Sequence, residues 1–142
     1  MKKQARFVTL FLICAVMLTM AACGHKSYAS LEEWYADNPS EKLEKMTFSE
    51  GSSKASIGFS VEKNVLVYKM NYGTQIFGND DMINKIFTAT FDKAFLEDKE
   101  RNNQIIKQLA DKSGIDASLI SLRFEIYNPG ETKPRYQRTY PE

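Results

Sequence analysis

Few residues of this 142-residue sequence could act as a nucleophile, a base or a metal ligand. It contains one histidine, His25, and two cysteines, Cys14 and Cys23. One imidazole and two thiols supply few ligands for zinc or copper. A catalytic imidazole also needs a rigid, enclosed site, and the short polar stretch around His25 does not provide one. The sequence therefore predicts no catalytic residue, no metal and no cofactor, and a protein that is not an enzyme.

The composition indicates a packed domain without a strong charge. Hydrophobic residues make up 43% of the chain and aromatic residues 12%, which excludes wholesale disorder. The formal net charge is +1, so nothing favours a nucleic-acid partner. Lys2, Lys3 and Arg6 lie in an N-terminal segment without acidic residues, and without them the charge is about −2.

The N-terminal segment is typical of a secretory signal. After the basic residues, an apolar run covers residues 7–20 (FVTLFLICAVMLTM). Fourteen residues in a helix extend about 21 Å, which is less than a hydrocarbon core of about 30 Å. The run is therefore too short for a permanent span, and we interpret residues 1–22 as a signal peptide.

The sequence Met20-Ala21-Ala22-Cys23 follows this run. It resembles the lipobox of bacterial lipoproteins, although Met20 stands where leucine is usual. The resemblance implies a thioether-linked diacylglycerol on Cys23, cleavage between Ala22 and Cys23, and anchoring at the outer face of the bacterial cytoplasmic membrane. The alternative is an ordinary secretory signal that leaves Cys23 as a plain thiol.

Residues 23–29 are interpreted as the lipidated cysteine and a tether, and residues 30–142 as one α+β domain. Ser30 and Glu33 form a capping box that begins a short helix. Asn38, followed by Pro39, is predicted to begin a second helix with Leu43 and Met46 as its apolar positions. Apolar and polar residues then alternate over 55–61 and 65–72, which predicts a hairpin with Asn64 at positive φ in its turn.

A long helical pattern follows at residues 80–113, and the sequence leaves open whether it is one helix or two. Asp80 and Asp81 could bind a metal together, but at a helix start they are more simply caps. The apolar stripe from Ile83 to Phe95 is expected to pack on the sheet. A second hairpin is predicted over 120–126 and 136–140. The predicted fold is a small antiparallel sheet of two hairpins with helices on one face, in the order α-α-β-β-α(-α)-β-β.

The other sheet face is expected to be polar and hydrated. Tyrosine and arginine are enriched at binding hot spots, so Arg123, Tyr127 and Arg135 form a candidate partner surface. Trp34 and Tyr35, beside the tether, are a further candidate. The competing interpretation is that about half of the tyrosines pack beneath the helices and that the arginines only solubilise a strand.

The region 30–140 resembles a family of small bacterial, mainly Gram-positive, cell-envelope lipoproteins known only as a domain of unknown function. The resemblance rests on Ser-Leu-Glu-Glu-Trp after the tether, the Asn-Pro helix start, Asn-Val-Leu-Val-Tyr opening a strand, and Arg-Phe-Glu-Ile-Tyr in the last hairpin. It implies no catalytic residues. The predicted function is a lipid-anchored, non-catalytic module that binds an envelope protein or glycan.

Two other functions stay open on the sequence. A small-molecule or peptide carrier would need a cavity between helices and sheet, lined by residues such as Met70, Tyr72, Phe87 and Phe91. A carboxylate-dependent hydrolase would need two acids facing each other in a cleft.

Overall fold

A computed structural model describes residues 27–38, 46–50 and 53–142, and of residues 46–50, 53 and 54 it describes the backbone only. The predicted signal peptide, Cys23 and His25 lie outside these residues. Within the described ranges, no helix has the length and apolar character needed to cross a membrane.

Helix α1 covers Leu31–Asp37 and begins as the capping box predicts. The Ser30 hydroxyl accepts a hydrogen bond from the Glu33 backbone N–H at 3.2 Å. The Glu33 carboxylate reaches back one residue further than expected and accepts from the Ala29 N–H. The helix ends at Asn38, whose side chain donates to the Trp34 carbonyl oxygen.

The predicted second helix falls largely on residues 39–45, which lie outside the described residues. At its end the prediction is wrong, because Met46 belongs to strand β1, Met46–Glu50. This strand pairs antiparallel with β2, Ser53–Glu62. Because β2 follows β1 directly along the chain, pairing within this hairpin overrides the local helix propensity at Met46.

Strands β2 and β3, Val65–Tyr72, form the predicted antiparallel hairpin. The residue with positive φ in the turn is Lys63, at 53°, and not Asn64. Asn64 has another role, because its side-chain oxygen accepts from the Leu31 N–H. This bond and the Glu32 N–H to Lys63 carbonyl bond hold the start of α1 against the hairpin turn.

The long helical pattern is two helices, α2 at Asp81–Phe95 and α3 at Lys99–Ser113. The Asp80 carboxylate caps α2 by accepting from the N–H groups of Met82 and Ile83. Asp98 caps α3 in the same way, and α3 ends at Gly114, whose φ of 74° suits glycine. The Asp80 carboxylate is therefore engaged as the helix cap, and Asp81 lies in the first turn, where the helix dipole favours a negative charge.

A 3-10 turn at Ala117–Leu119 leads into β4, Ser121–Tyr127, which pairs antiparallel with β5, Tyr136–Tyr140. The α+β class is confirmed, but the sheet is not purely antiparallel. Its order is β1-β2-β3-β4-β5, and β3 and β4 pair in parallel. The two helices between these strands return the chain to the end where β3 began, so β4 runs in the same direction as β3.

The core lies between the helices and one sheet face, and stacked aromatic rings join the two layers. Phe95 of α2 stacks on Phe124 of β4 with centroids 4.7 Å apart. Phe124 stacks on Tyr68 of β3 at 5.3 Å, and Tyr68 meets Phe59 of β2 edge-on at 5.2 Å. Each ring contacts the next, so one continuous row of aromatic side chains runs from α2 across the sheet, as tight packing requires.

The apolar stripe of α2 packs on the sheet only in part. Phe91 and Phe95 are buried, whereas Ile83 is 46% exposed and Ile86 is 59% exposed. The expectation that the whole stripe is covered is therefore wrong. In the first turns of α2, Ile83 and Ile86 face solvent, whereas Phe87 packs against the core.

Candidate interaction surface

Strand register places the polar side chains of the sheet on the face opposite the core, which we call the outer face. Across β2, β3 and β4, the residues Ser60, Val67 and Arg123 lie side by side, and in the next row Gly58, Lys69 and Glu125 do so. Successive side chains of a strand point to opposite faces of the sheet. These two rows therefore lie on the face opposite that of Tyr68 and Phe124, which belong to the core.

Arg123 connects two carboxylates on the outer face. Its Nε donates to the Glu125 carboxylate at 2.8 Å, and one terminal nitrogen donates to Glu62 at the end of β2. Glu125 is only 5% exposed, although it is charged and lies in the middle of a strand. Burial alone would lower the pKa of Arg123, but the hydrogen bonds and charges of the two glutamates outweigh it and raise the pKa.

The Arg123 side chain crosses β3, because it starts on β4 and ends at Glu62 on β2. That path lies over Val67, an apolar residue on the outer face that is fully buried. The arginine stem thus covers apolar surface while its head group binds carboxylates. Arg123 is part of the packing of this face and is not a loose solubilising residue.

Tyr127 joins the same network. Its hydroxyl donates to the second oxygen of the Glu125 carboxylate at 2.5 Å. Burial, followed by this hydrogen bond and the charge of Glu125, raises the pKa of Tyr127 to about 12. Glu62, Arg123, Glu125 and Tyr127 therefore form one continuous cluster, which we call the outer-face cluster.

Arg135 is not part of this cluster. It lies just before β5 and forms two hydrogen bonds of 2.7 Å with the Glu131 carboxylate, within the loop that joins β4 and β5. The paired arginine lowers the pKa of Glu131. The structure thus brings together Arg123 and Tyr127 of the sequence-predicted surface and leaves Arg135 on the loop.

The other aromatic candidates mostly face the core. Trp34, Tyr136 and Tyr140 are buried in it, and Tyr35 packs against it. The Tyr136 hydroxyl donates to Asp92 of α2, and Arg138 pairs with the same carboxylate at 3.1 Å. For these tyrosines the competing interpretation, packing beneath the helices, is correct.

The loop at the end of β4 is fixed by an asparagine. The Asn128 side chain accepts from the N–H groups of Ile76 and Phe77 and donates to the Phe77 carbonyl oxygen. Asn84 makes a similar pair of bonds with Gly78. Together these amides hold the loop after β3 between α2 and the last hairpin.

Residues that could bind a metal are scattered in the described part of the chain. No group of three or more histidine, cysteine, aspartate or glutamate side chains in residues 27–38 and 55–142 has a metal-binding arrangement. Asp80 and Asp81, the pair singled out from the sequence, lie at the N-terminus of α2, where Asp80 is engaged as a cap.

Sequence reasoning missed the two glutamates as partners of Arg123. The spacing of Arg123 and Glu125, two residues apart on one strand, indicated a shared face. The contact with Glu62, 61 residues away, depends on strand order and had no local signal. Comparisons of the chain with protein-family models, curated protein sequences and solved structures gave no match. The resemblance to envelope lipoproteins therefore stays a prediction.

Proposed function

We propose that this chain is an extracytoplasmic lipoprotein, anchored by lipid on Cys23 to the outer face of the bacterial cytoplasmic membrane, and that its domain is a non-catalytic interaction module. The observation that carries the proposal is the cysteine directly after a short apolar run and two alanines. Two or three acyl chains hold a protein durably at a bilayer, since each buried CH₂ contributes about 0.8 kcal/mol.

The start of the described fold suits a short tether. Ser27 lies four residues after Cys23, a span of at most about 14 Å. Three residues later Ser30 caps α1, and α1 is hydrogen-bonded to the hairpin turn at Lys63 and Asn64. A domain held so close to the bilayer is placed to contact other envelope components, and this supports an interaction role.

The hydrolase alternative has less support. Glu62 and Glu125 are close enough to bind one guanidinium, but that guanidinium lies between them. A glycosidase needs the space between its two carboxyl groups for the sugar and a water or leaving group. In the outer-face cluster, Arg123 fills this space.

The carrier alternative also has less support. The Phe91 ring contacts the rings of Tyr72 and Phe87 at centroid distances of 6.4 and 6.3 Å, and Met70 is buried beside them in the core. The side chains expected to line a cavity contact one another instead. A pocket at this position would require Phe87 and Phe91 to separate.

We assign the partner contact to the outer face, where Tyr127 is half-buried and Lys69 and Gln137 surround Glu125. Such a face, with paired charges and an aromatic edge, fits a polar partner such as a glycan or a protein loop.

The test is photo-crosslinking of the full chain in intact membranes, with p-benzoylphenylalanine replacing Gln137. The matched control replaces Gln104, which is exposed on α3 in the helical layer. We expect the probe at position 137 to give one adduct with an envelope component, and the probe at position 104 not to give it. Tyr127→Ala should lower the yield of this adduct. Adducts of equal yield at the two positions would contradict the assignment of this face.

A further inference from the structure

One ridge of α2 exposes apolar side chains in a regular pattern. Met82 is 72% exposed and Ile86 is 59% exposed. Ala89 and Lys93 are exposed on the same side of the helix. These four residues are spaced 4, 3 and 4 apart, and at 3.6 residues per turn they form one stripe along the solvent side of α2.

This spacing is that of the contact positions in a coiled coil. Ile83, 46% exposed, borders the stripe on one side, and Lys85 borders it on the other. Ala89 in the middle would let another helix come close. The ridge therefore has the shape and periodicity that suit a helix as its occupant.

The helix itself is rigidly held. Asp80 caps its first turn, and the Asn84 side chain binds Gly78 through both of its amide atoms. From Phe87 onward its opposite side is packed in the core. A preformed apolar ridge loses little conformational entropy on binding.

We propose that this ridge binds the same ridge of a second copy of this chain, with the two α2 helices antiparallel about a two-fold axis between Ile86 and Ala89. In this arrangement Ile86 of each copy packs on Ala89 of the other, and Met82 packs beside the stem of Lys93. Such an interface is isologous, since each copy contributes the same residues.

Charge selects the antiparallel arrangement. The N-terminal turn of α2 carries Asp80 and Asp81, and its C-terminal half carries Lys93 on the ridge. Antiparallel pairing places Lys93 of each copy next to the acidic turn of the other. Parallel pairing would instead place Lys85 and Lys93 beside their own counterparts, which is repulsive.

The contact is small. The three exposed apolar side chains together offer a few hundred Å², less than the roughly 800 Å² per partner of a standard interface. The dimer is therefore weak in dilute solution and grows with surface density when copies share one membrane. The ridge is present whether or not Cys23 carries lipid, but its enrichment at one membrane rests on the proposed anchor.

The test is photo-crosslinking of the full chain in membranes, with p-benzoylphenylalanine replacing Ile83, which borders the stripe, so that Ala89 stays in place. The control replaces Leu119, which is 60% exposed on the 3-10 turn. We expect an adduct at twice the chain mass from the probe at position 83 and none from the probe at position 119. In the chain with the probe at position 83, Ile86→Asp should lower the yield at least about tenfold, whereas Leu119→Asp should leave it unchanged.

Charge exchange tests the orientation. Lys93→Glu should lower the yield, and adding Asp81→Lys should restore it, with the circular dichroism spectrum unchanged in both variants. No homodimer adduct from the probe at position 83, an adduct to lipid or to another protein there, or an equal yield from the probe at position 119 would overturn the proposal. Palmitate labelling of the same samples reports on the anchor separately, so that failure of one claim is distinguishable from failure of the other.

Discussion

Arg123 and Arg135 are alike in sequence but differ in the structure. Both lie in the last hairpin region, and both bind a glutamate through Nε. Arg123 lies over Val67 and binds a glutamate that is nearly inaccessible to solvent, whereas Arg135 and Glu131 meet on a solvent-facing loop. The contribution of an arginine to stability therefore depends on how deeply its carboxylate partner is buried.

The largest effect is expected for Arg123→Ala. This change leaves the Glu125 carboxylate buried without its cation and uncovers Val67. We expect a loss of about 2–3 kcal/mol in the free energy of unfolding. Urea denaturation of the full chain measures it, and a loss no larger than that of Arg135→Ala would remove the distinction between the two arginines.

A double replacement tests whether the ion pair of the outer-face cluster itself stabilises the fold. The alternative is that only an unpaired buried charge is destabilising. Changing Arg123→Met together with Glu125→Leu keeps the covering stem and removes the buried charge. Since apolar residues often replace a buried ion pair without cost, we expect at least half of the Arg123→Ala loss to be recovered. A double variant as unstable as the single one would show that the charges themselves hold this face.

A smaller effect is expected for Tyr127→Phe, which removes the hydrogen bond to Glu125 and should cost about 1 kcal/mol. The pKa of Tyr127 is raised to about 12, mainly by burial. A raised pKa gives stability that is complete below about pH 10, the ordinary tyrosine value, and lost as pH rises towards 12. The free energy of unfolding, measured between about pH 9 and about pH 12, should fall more gently with pH in the variant.

Arg135→Ala is expected to leave the midpoint of urea denaturation unchanged. Its effect is expected on the pKa of its partner, Glu131. Because the arginine lowers the pKa of Glu131, the variant should raise that pKa towards its ordinary value. The pair stabilises the loop above the unfolded-state pKa of Glu131, and this contribution is lost as pH falls through the lowered folded-state value. An NMR titration of the Glu131 side chain measures the shift, and an unshifted titration would contradict the pairing.

Features with local signals were predictable from the sequence. The Ser30 and Asp80 caps, the alternation in β2 and β3 and the end of the helical pattern at residue 113 each depend on a few neighbouring residues, and the structure has all of them.

Features that depend on distant pairing were not predictable in this way. Period-two alternation is the same for parallel and antiparallel neighbours, so the β3–β4 pairing had no signature. Lys63 takes positive φ while the Asn64 side chain binds the Leu31 N–H, 33 residues away in sequence. Strand β1 pairs with β2, its neighbour in sequence, and was missed because the Asn-Pro signal predicted a helix there. Of the candidate surface, the face of Arg123 and Tyr127 followed from alternation, but the crossing of Arg123 to Glu62 required the strand order.

Metabolic labelling with a palmitate analogue tests the proposed lipid anchor on Cys23. Cells expressing the full chain are labelled, and the chain is compared with Cys23→Ser and with the matched Cys14→Ser variant. We predict label in the wild type and in Cys14→Ser and none in Cys23→Ser. Label that persists in Cys23→Ser, or its absence from the wild-type chain, would contradict the lipid anchor.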